Sequence, residues 1–286
     1  MTNISASQVK ELREKTGLGL MDCKKALEDT NGDLDSAVEE LRKTSGLKAS
    51  KKSSRSAADG LIGIESLEGR AFMVEINCET DFVARDDSFN SFMQEVLEIV
   101  SSNKDKSLEE LLEEGIEEKR EKLVQKLGEN IVVRRISASE DSADSSGVYL
   151  HSNNKIGAII SLKGGTEEVA KDIAMHAAAT DPMAISPSDI SKDVIDKERE
   201  IYKAQSEESG KPADIVEKMI EGKIRKFLSE VSLTEQDFVK DPSIKINDLL
   251  KNNNASIVGF TRFEVGEGIE VEKVDFASEV MSQIEG

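Results

Sequence analysis

The spacing of apolar residues changes along the chain, and one of these changes marks a segment between a strand and a helix. Phe72 and Ile76 lie on one face of an alternating run, which predicts a strand over residues 71–78. After residue 86 the apolar residues recur three and four positions apart, which predicts a helix from about Ser88. Residues 77–86 should therefore connect strand and helix, a place where a rigid scaffold can present side chains to a partner.

Phe82 is the unusual residue of this connection, because it lies between Asp81 and Val83 in a chain with only nine Phe and two Tyr. An acid beside a large aromatic ring suits insertion into a pocket of another protein. The alternative is that Phe82 folds back and plugs its own core. The connection alone leaves both interpretations open.

The pattern in residues 1–46 predicts three short helices. Ser5 and Gln8 form a capping-box pattern, Gly17 ends the first helix, and Asp33 caps the third. Such a bundle resembles a ubiquitin-associated domain and is typical of a binding module. Three apolar residues near its first turn belong either to the core or to a small docking patch: Leu18, Leu20 and Met21.

Three further segments are predicted outside the main core. Residues 47–58 are polar and basic and are interpreted as a linker; they lack the interleaved aromatic residues of a nucleic-acid patch. Residues 186–227 predict an inserted antiparallel coiled-coil hairpin, either solubilising decoration or an arm that contacts a partner. Residues 271–286 are predicted to form a short helical C-terminal module.

The middle of the chain repeats one plan, which predicts a duplicated α+β core of two small antiparallel sheets with helices. The first copy covers residues 59–140, and the second covers 141–185 and 228–270. Each copy has a hairpin, a connection, a helix and a later strand. The second copy has no aromatic residue where the first has Phe82, which favours a functional role for that ring without excluding the core plug. The predicted hairpin turns are Glu68-Gly69 and Asn153-Asn154.

The charge balance limits the classes of partner. The net charge is −19, so duplex DNA and anionic membranes are poor general partners, and a basic surface or a metal–phosphate site fits better. No run of 18 apolar residues predicts a membrane-spanning helix, and the start of the chain has no apolar secretory core. We therefore expect a cytoplasmic protein without a membrane partner.

The sequence offers no constellation for catalysis or metal binding. Cys23 and Cys78 are far apart in apolar contexts and are predicted to be reduced, buried thiols. The two histidines have no metal-ligand spacing; His176 is predicted to be a core residue and His151 to be exposed near a hairpin turn. No phosphate-binding glycine loop or nucleophile motif occurs, so we expect neither an enzyme nor a bound metal.

A series of short runs resembles the bacterial elongation factor Ts family from end to end. The most specific run is Thr80-Asp-Phe-Val-Ala84 after a strand. The other runs, in order, are Met21-Asp-Cys-Lys-Lys-Ala-Leu27, Asn31-Gly-Asp33, Leu127-Gly-Glu-Asn-Ile131, Ala174-Met-His-Ala-Ala178, Ser209-Gly-Lys-Pro212 and Phe263-Glu-Val-Gly-Glu-Gly268.

This resemblance implies a guanine-nucleotide exchange factor that binds elongation factor Tu in complex with GDP and promotes GDP release during translation elongation. It implies no cofactor of its own, because the factor acts on the Mg²⁺ and GDP of its partner, and no direct contact with nucleic acid. The alternative is a non-catalytic adaptor of the ubiquitin-associated type, which would use residues 1–46 and leave Asp81 and Phe82 without a role.

The resemblance also assigns contacts residue by residue. The run Thr80, Asp81, Phe82, Val83 and Ala84 would form a wedge beside the magnesium and phosphate site of the partner. This chain has Leu20 where the family often has Met and Leu127 where it often has Ile, and both changes nearly conserve volume. The further contacts implied are Arg13, Leu20, Met21, Lys24, Leu127, Gly128, His151 and Val239.

Overall fold

The protein is an α+β chain in which helices accompany small antiparallel sheets. The computed structural model describes residues 4–207 and 212–270. The C-terminal module predicted at 271–286 and the turn at 208–211 lie outside these residues. The described residues fall into two compact units, one comprising 4–63, 74–136 and 264–270 and the other 64–73, 137–207 and 212–263.

The three predicted N-terminal helices are confirmed: α1 (Ala6–Thr16), α2 (Leu20–Asp29) and α3 (Leu34–Lys52). Ser5 and Gln8 form the capping box, Gly17 adopts a left-handed conformation (φ 70°) and Asp33 accepts from the Ser36 N–H (2.7 Å). The helices enclose a small apolar core consisting of Leu12, Leu18, Cys23, Ala26, Leu27, Ala37 and Leu41.

The predicted boundary at residue 46 is wrong, because α3 continues without interruption to Lys52. Leu41, Ser45 and Ala49 recur every four residues and are all buried, so this stripe of α3 extends the helix into the predicted linker. α3 packs on helix α7 (Glu117–Leu127), where Arg42 pairs with Glu118 at 2.9 Å. Packing on α7 therefore keeps residues 47–52 helical, although their basic composition predicts a linker.

The first sheet has the strand order β1 (Asp59–Leu67), β2 (Arg70–Cys78), β3 (Ile131–Ala138), with the predicted turn at Glu68 and Gly69. The turn end of its hairpin, residues 64–73, belongs to the second unit, whereas the sequence analysis assigned all of 59–140 to the first copy. Within that unit Ala71 exchanges backbone and side-chain hydrogen bonds with Ser139, which join the turn end of the hairpin to the segment after β3. The helices between β2 and β3 are α4 (Asp81–Ala84), α5 (Asp87–Ser102), α6 (Leu108–Leu111) and α7, and the chain kinks between α6 and α7 at Gly115 (φ 127°).

A buried carboxylate joins β2 and β3 in the first unit. Glu75 is fully buried, receives Arg134 (3.1 Å) and Arg135 (2.5 Å), and accepts from the Gly266 N–H (2.9 Å). Burial alone acts to raise the pKa of Glu75, but the hydrogen bonds from Gly266 and Arg135 and the charge of Arg135 outweigh it and lower the pKa. The charged form is therefore stabilised in the folded protein.

The second sheet has the order β4 (Ser145–Leu150), β5 (Ile156–Lys163), β8 (Ser256–Glu264), and it is covered by helix α8 (Glu167–Thr180). β4 and β5 are antiparallel, and Asn154 has φ 56° in the turn predicted there. Gly147 lies directly under α8, since a Cβ at this position would fall 2.1 Å from the Lys171 nitrogen. Only glycine permits this approach of helix and strand.

The inserted segment begins later than predicted, with helices α9 (Lys192–Glu207) and α10 (Ala213–Val231) packed on each other. A 3₁₀ turn at Pro187–Asp189 precedes α9, and a capping box between Ser186 and Asp189 stabilises this turn. Two short strands and a short helix that the apolar pattern does not predict follow α10. They are β6 (Asp237–Phe238), β7 (Asp241–Lys245) and α11 (Ile246–Asn252).

Candidate partner-binding site

The connection after β2 contains a one-turn helix, α4, which the apolar pattern does not predict. Thr80 caps α4: its backbone is extended (φ −133°, ψ 157°) and its hydroxyl accepts from the Val83 N–H. The Cys78 thiol donates to the Thr80 carbonyl oxygen (3.2 Å). A new cap at Asp86 then begins α5, so α4 stands as a separate turn between two well-packed elements.

Phe82 points out of the protein. Its residue surface is 80% exposed, whereas Val83 is 9% and Ala84 2% exposed. Successive side chains of a helix point in different directions, so one turn can bury two residues and expose the third. The interpretation of Phe82 as a local core plug is wrong. Val83 and Ala84 anchor the turn, and their side chains do not reach the surface that Phe82 presents.

Asp81 is held beside Phe82 by an ion pair within the turn. Its carboxylate lies 2.7 Å from the guanidinium of Arg85, and 44% of its side chain is exposed. Exposed pairs of this kind stabilise by only about 0–1 kcal/mol. The Asp81 carboxylate can therefore exchange Arg85 for a partner group at little cost.

The turn at Leu127 and Gly128 lies at the end of α7. Gly128 is exposed and left-handed (φ 81°), and its carbonyl oxygen accepts from Lys52, while Leu127 is half-buried. The next residue, Glu129, binds the backbone of Glu79 and Thr80. The structure therefore brings the predicted sites at 80–84 and 127–128 together, through a glutamate that sequence reasoning missed.

The three apolar residues that the sequence left ambiguous lie partly in the core and partly on the surface of α1–α3. Leu18 is 3% exposed and belongs to the core, whereas Leu20 (51%) and Met21 (76%) are exposed at the start of α2. Arg13 on α1 is exposed, and Lys24 on α2 is exposed with a weak pair to Glu28. Two adjacent exposed apolar residues are suited to docking a protein surface.

Two predicted contacts lie in the second unit. His151 is exposed as predicted, with Nδ1 at 2.8 Å from Asn153 Oδ1. Val239 is 40% exposed, and its N–H donates to Nδ1 of the buried His176 (3.3 Å). His176 is fully buried, as predicted for a core residue, and this burial lowers its pKa.

Cys23 and Cys78 are buried thiols, as predicted. Residues 4–207 and 212–270 contain no cluster of three His, Cys, Asp or Glu residues able to hold a metal. None of the helices in this part of the chain combines the length and apolar character needed to cross a membrane.

Comparison with known proteins places the chain in a family. The profile described as Elongation factor TS matches residues 79–267. The Elongation factor Ts of Hahella chejuensis is 54% identical over 288 residues, and that of Francisella tularensis subsp. novicida is 52% identical over 292, each alignment covering all of both chains. On this similarity, which extends over the whole length, the chain belongs to the elongation factor Ts family.

Proposed function

We propose that this chain binds elongation factor Tu in complex with GDP and that Asp81 and Phe82 disturb the magnesium and phosphate site of that partner. Nucleotide exchange in translation elongation is the role that comes with family membership. The observation that supports the proposed mechanism is the exposure of Phe82 on an anchored turn, next to the carboxylate of Asp81.

The energy required sets the scale of the interaction. A nucleotide held at nanomolar affinity is bound by about 12 kcal/mol. With an association rate of about 10⁶ M⁻¹s⁻¹ it would leave only once in about 10³ s. Release that is faster by about 10³-fold requires about 4 kcal/mol of coupling.

Phe82 can supply part of this coupling. Burying a Phe side chain completely contributes about 1.5–3 kcal/mol. The remainder must come from the charge of Asp81 and from the other contacts. Magnesium links the phosphates to the partner, so a carboxylate and a ring that displace it weaken nucleotide binding selectively. Coupling is reciprocal, so nucleotide should weaken the binding of this chain equally, and the ternary complex should be short-lived.

Finer parts of the architecture belong to the same proposal. α1–α3 would act as a ubiquitin-associated-like module that docks through Leu20 and Met21, and α9–α10 as a coiled-coil arm. Leu127, Gly128, His151 and Val239 would add contacts to the partner, the last of them in its distal domain. The factor would work in the cytoplasm, without a cofactor of its own and without direct contact with nucleic acid or membrane.

Release of fluorescent GDP from elongation factor Tu tests this function. Catalytic amounts of the chain should accelerate release of labelled GDP into excess unlabelled GDP. An adaptor that used only α1–α3 would bind without accelerating release, and acceleration that survives loss of both Asp81 and Phe82 would contradict the proposed mechanism.

A further inference from the structure

The carboxylate of Glu129 holds the backbone from which Asp81 and Phe82 project. Its Oε2 accepts from the N–H groups of Glu79 (3.1 Å) and Thr80 (3.0 Å), and its Oε1 accepts from the Thr80 hydroxyl (2.6 Å). Hydrogen bonds to an ionised acceptor are about twice as strong as neutral ones. Three such bonds therefore fix the residues immediately before the exposed pair.

A second carboxylate, that of Glu79 in the connection before α4, binds the segment that follows α7. Glu79 Oε1 accepts from the Asn130 N–H (2.6 Å) and lies 3.5 Å from the Arg55 guanidinium. Asn130 is buried, and its side-chain amide donates to the Arg55 carbonyl oxygen (2.8 Å). The start of α4 and the segment after α7 are thus tied to each other reciprocally, by Glu129 from one side and Glu79 from the other.

The second unit shows that the helix start alone does not need this carboxylate. Thr166 caps α8 with φ −130° and ψ 160°, close to the −133° and 157° of Thr80, and its hydroxyl accepts from the Val169 N–H. Within the described part of the chain its side chain has no further hydrogen bond. Gly164 and Gly165, both left-handed, make the preceding turn. The bonds that the Glu129 carboxylate accepts are therefore an addition found in the copy that carries Phe82.

Because α4 is short, the hydrogen bonds accepted by Glu129 can determine its orientation. α8 runs for 14 residues, whereas α4 has four and ends where Asp86 caps the next helix. A single helical turn is not stable by itself, because nucleation fixes several residues for few hydrogen bonds. External bonds to the two residues immediately before α4 therefore set the direction in which Phe82 points.

We infer that Glu129 is a positioning residue for nucleotide exchange, whose carboxylate fixes the orientation in which Asp81 and Phe82 meet the partner. The inference rests on the proposed function of that pair. A misplacement of about 1 Å can reduce a rate about 10²-fold. Loss of Glu129 should therefore lower the rate of exchange at saturation more than it lowers affinity for the partner.

Rates of GDP release over a range of factor concentrations test the inference on the full chain. We expect Glu129→Ala to lower the saturating rate by about tenfold or more and to change the half-saturating concentration less than about threefold. Glu129→Gln keeps the size and the acceptor for both N–H groups and should retain most of the rate. Thr166→Ala removes the equivalent cap in the second unit and should leave the saturating rate unchanged.

A double-mutant cycle separates positioning from general stability. If Glu129 acts through Asp81 and Phe82, then Glu129→Ala should have a smaller effect on the rate in a Phe82→Ala background than in the unaltered chain, because only Asp81 is then left to misplace. Full, independent losses in the double variant would overturn the inference, as would a wild-type saturating rate for folded Glu129→Ala. Glu129→Asp, which keeps the charge but shortens the reach, serves in the same cycle if the alanine variant does not fold.

The two failures are distinguishable. A normal rate for Phe82→Ala contradicts the proposed function itself. A defective Phe82→Ala beside a normal Glu129→Ala contradicts only the positioning role.

Discussion

Replacing Phe82 with alanine removes a ring that contributes little to the fold and much to the proposed contact. The residue is 80% exposed, so about a fifth of its surface is already buried. Complete burial of a Phe side chain is worth about 1.5–3 kcal/mol, so the buried part stabilises the fold by about 0.3–0.6 kcal/mol. The exposed part leaves about 1.2–2.4 kcal/mol for binding.

These values give the expected size of the defect. Because 1.36 kcal/mol corresponds to a tenfold change in rate, we expect Phe82→Ala to slow stimulated GDP release about 8- to 60-fold. The loss of 0.3–0.6 kcal/mol from the fold should lower the Tm by only about 1–2 °C. A large loss of release rate together with a small loss of Tm is the result expected for a side chain that points away from its own fold.

Stopped-flow fluorescence with a labelled GDP bound to elongation factor Tu measures the rate, and circular dichroism measures the Tm. Met183→Ala provides a matched control, since Met183 is also a large exposed apolar residue (57%) but lies outside the proposed contacts. It should leave the release rate unchanged and lower the Tm at least as much as Phe82→Ala does, because a larger part of Met183 is buried. Equal release rates for Phe82→Ala and the unaltered chain at every concentration would contradict a role for the Phe82 ring in nucleotide exchange.

Three further substitutions test separate parts of the account. Asp81→Asn should slow GDP release at millimolar magnesium and have no effect once a chelator has removed the metal; a defect of the same size in both conditions would count against a role at the metal. Gly147→Ala should lower the free energy of unfolding in urea by about 1–3 kcal/mol or more, because its Cβ would lie 2.1 Å from backbone that cannot rotate away. An unchanged urea midpoint would be inconsistent with the close approach of α8 to β4. The pKa of Glu75 lies below its ordinary value of 4.5 in the folded protein, so its contribution to stability is complete above about pH 4.5 and is lost as the pH falls through the folded pKa. Glu75→Gln should therefore unfold with a shallower dependence on acid below pH 4.5 than the unaltered chain, and identical slopes would argue against the buried ion pairs.

Short-range signals account for most of what the sequence predicted correctly. The capping box at Ser5 and the left-handed glycine after α1 depend on residues within one turn of each other. The same holds for the hairpin turns at Glu68 and Asn154, where the backbone has positive φ. Local hydrogen bonding and backbone sterics decide such features, so a few neighbouring residues are sufficient to predict them.

The errors arise where distant parts of the chain pack together. The basic composition of residues 47–52 suggested a linker, but packing on α7 keeps them helical. β6 has only two residues, too few for a periodic pattern, and Phe238 is buried in it by contacts from elsewhere in the second unit. Tertiary packing outweighs local propensity in both cases.

The candidate site shows the same division. An acid next to an aromatic residue in a connection identified Asp81 and Phe82, but it did not show that Val83 and Ala84 face inward. The bond from Thr80 to Glu129 spans 49 residues, and no local pattern predicts it. The position of Glu129, directly after the Leu127–Gly128 turn, was nevertheless a usable signal. An acid one residue from a predicted contact is expected to form hydrogen bonds with a neighbouring segment.

The most direct test of the central claim is to find which surface of the partner Phe82 touches. A photoreactive benzoylphenylalanine at position 82 can be cross-linked to GDP-bound elongation factor Tu and located by mass spectrometry. The account predicts cross-links to the GTP-binding domain, beside the loops that hold magnesium and phosphate. Cross-links confined to other surfaces of the partner, in a complex that still releases GDP, would contradict it.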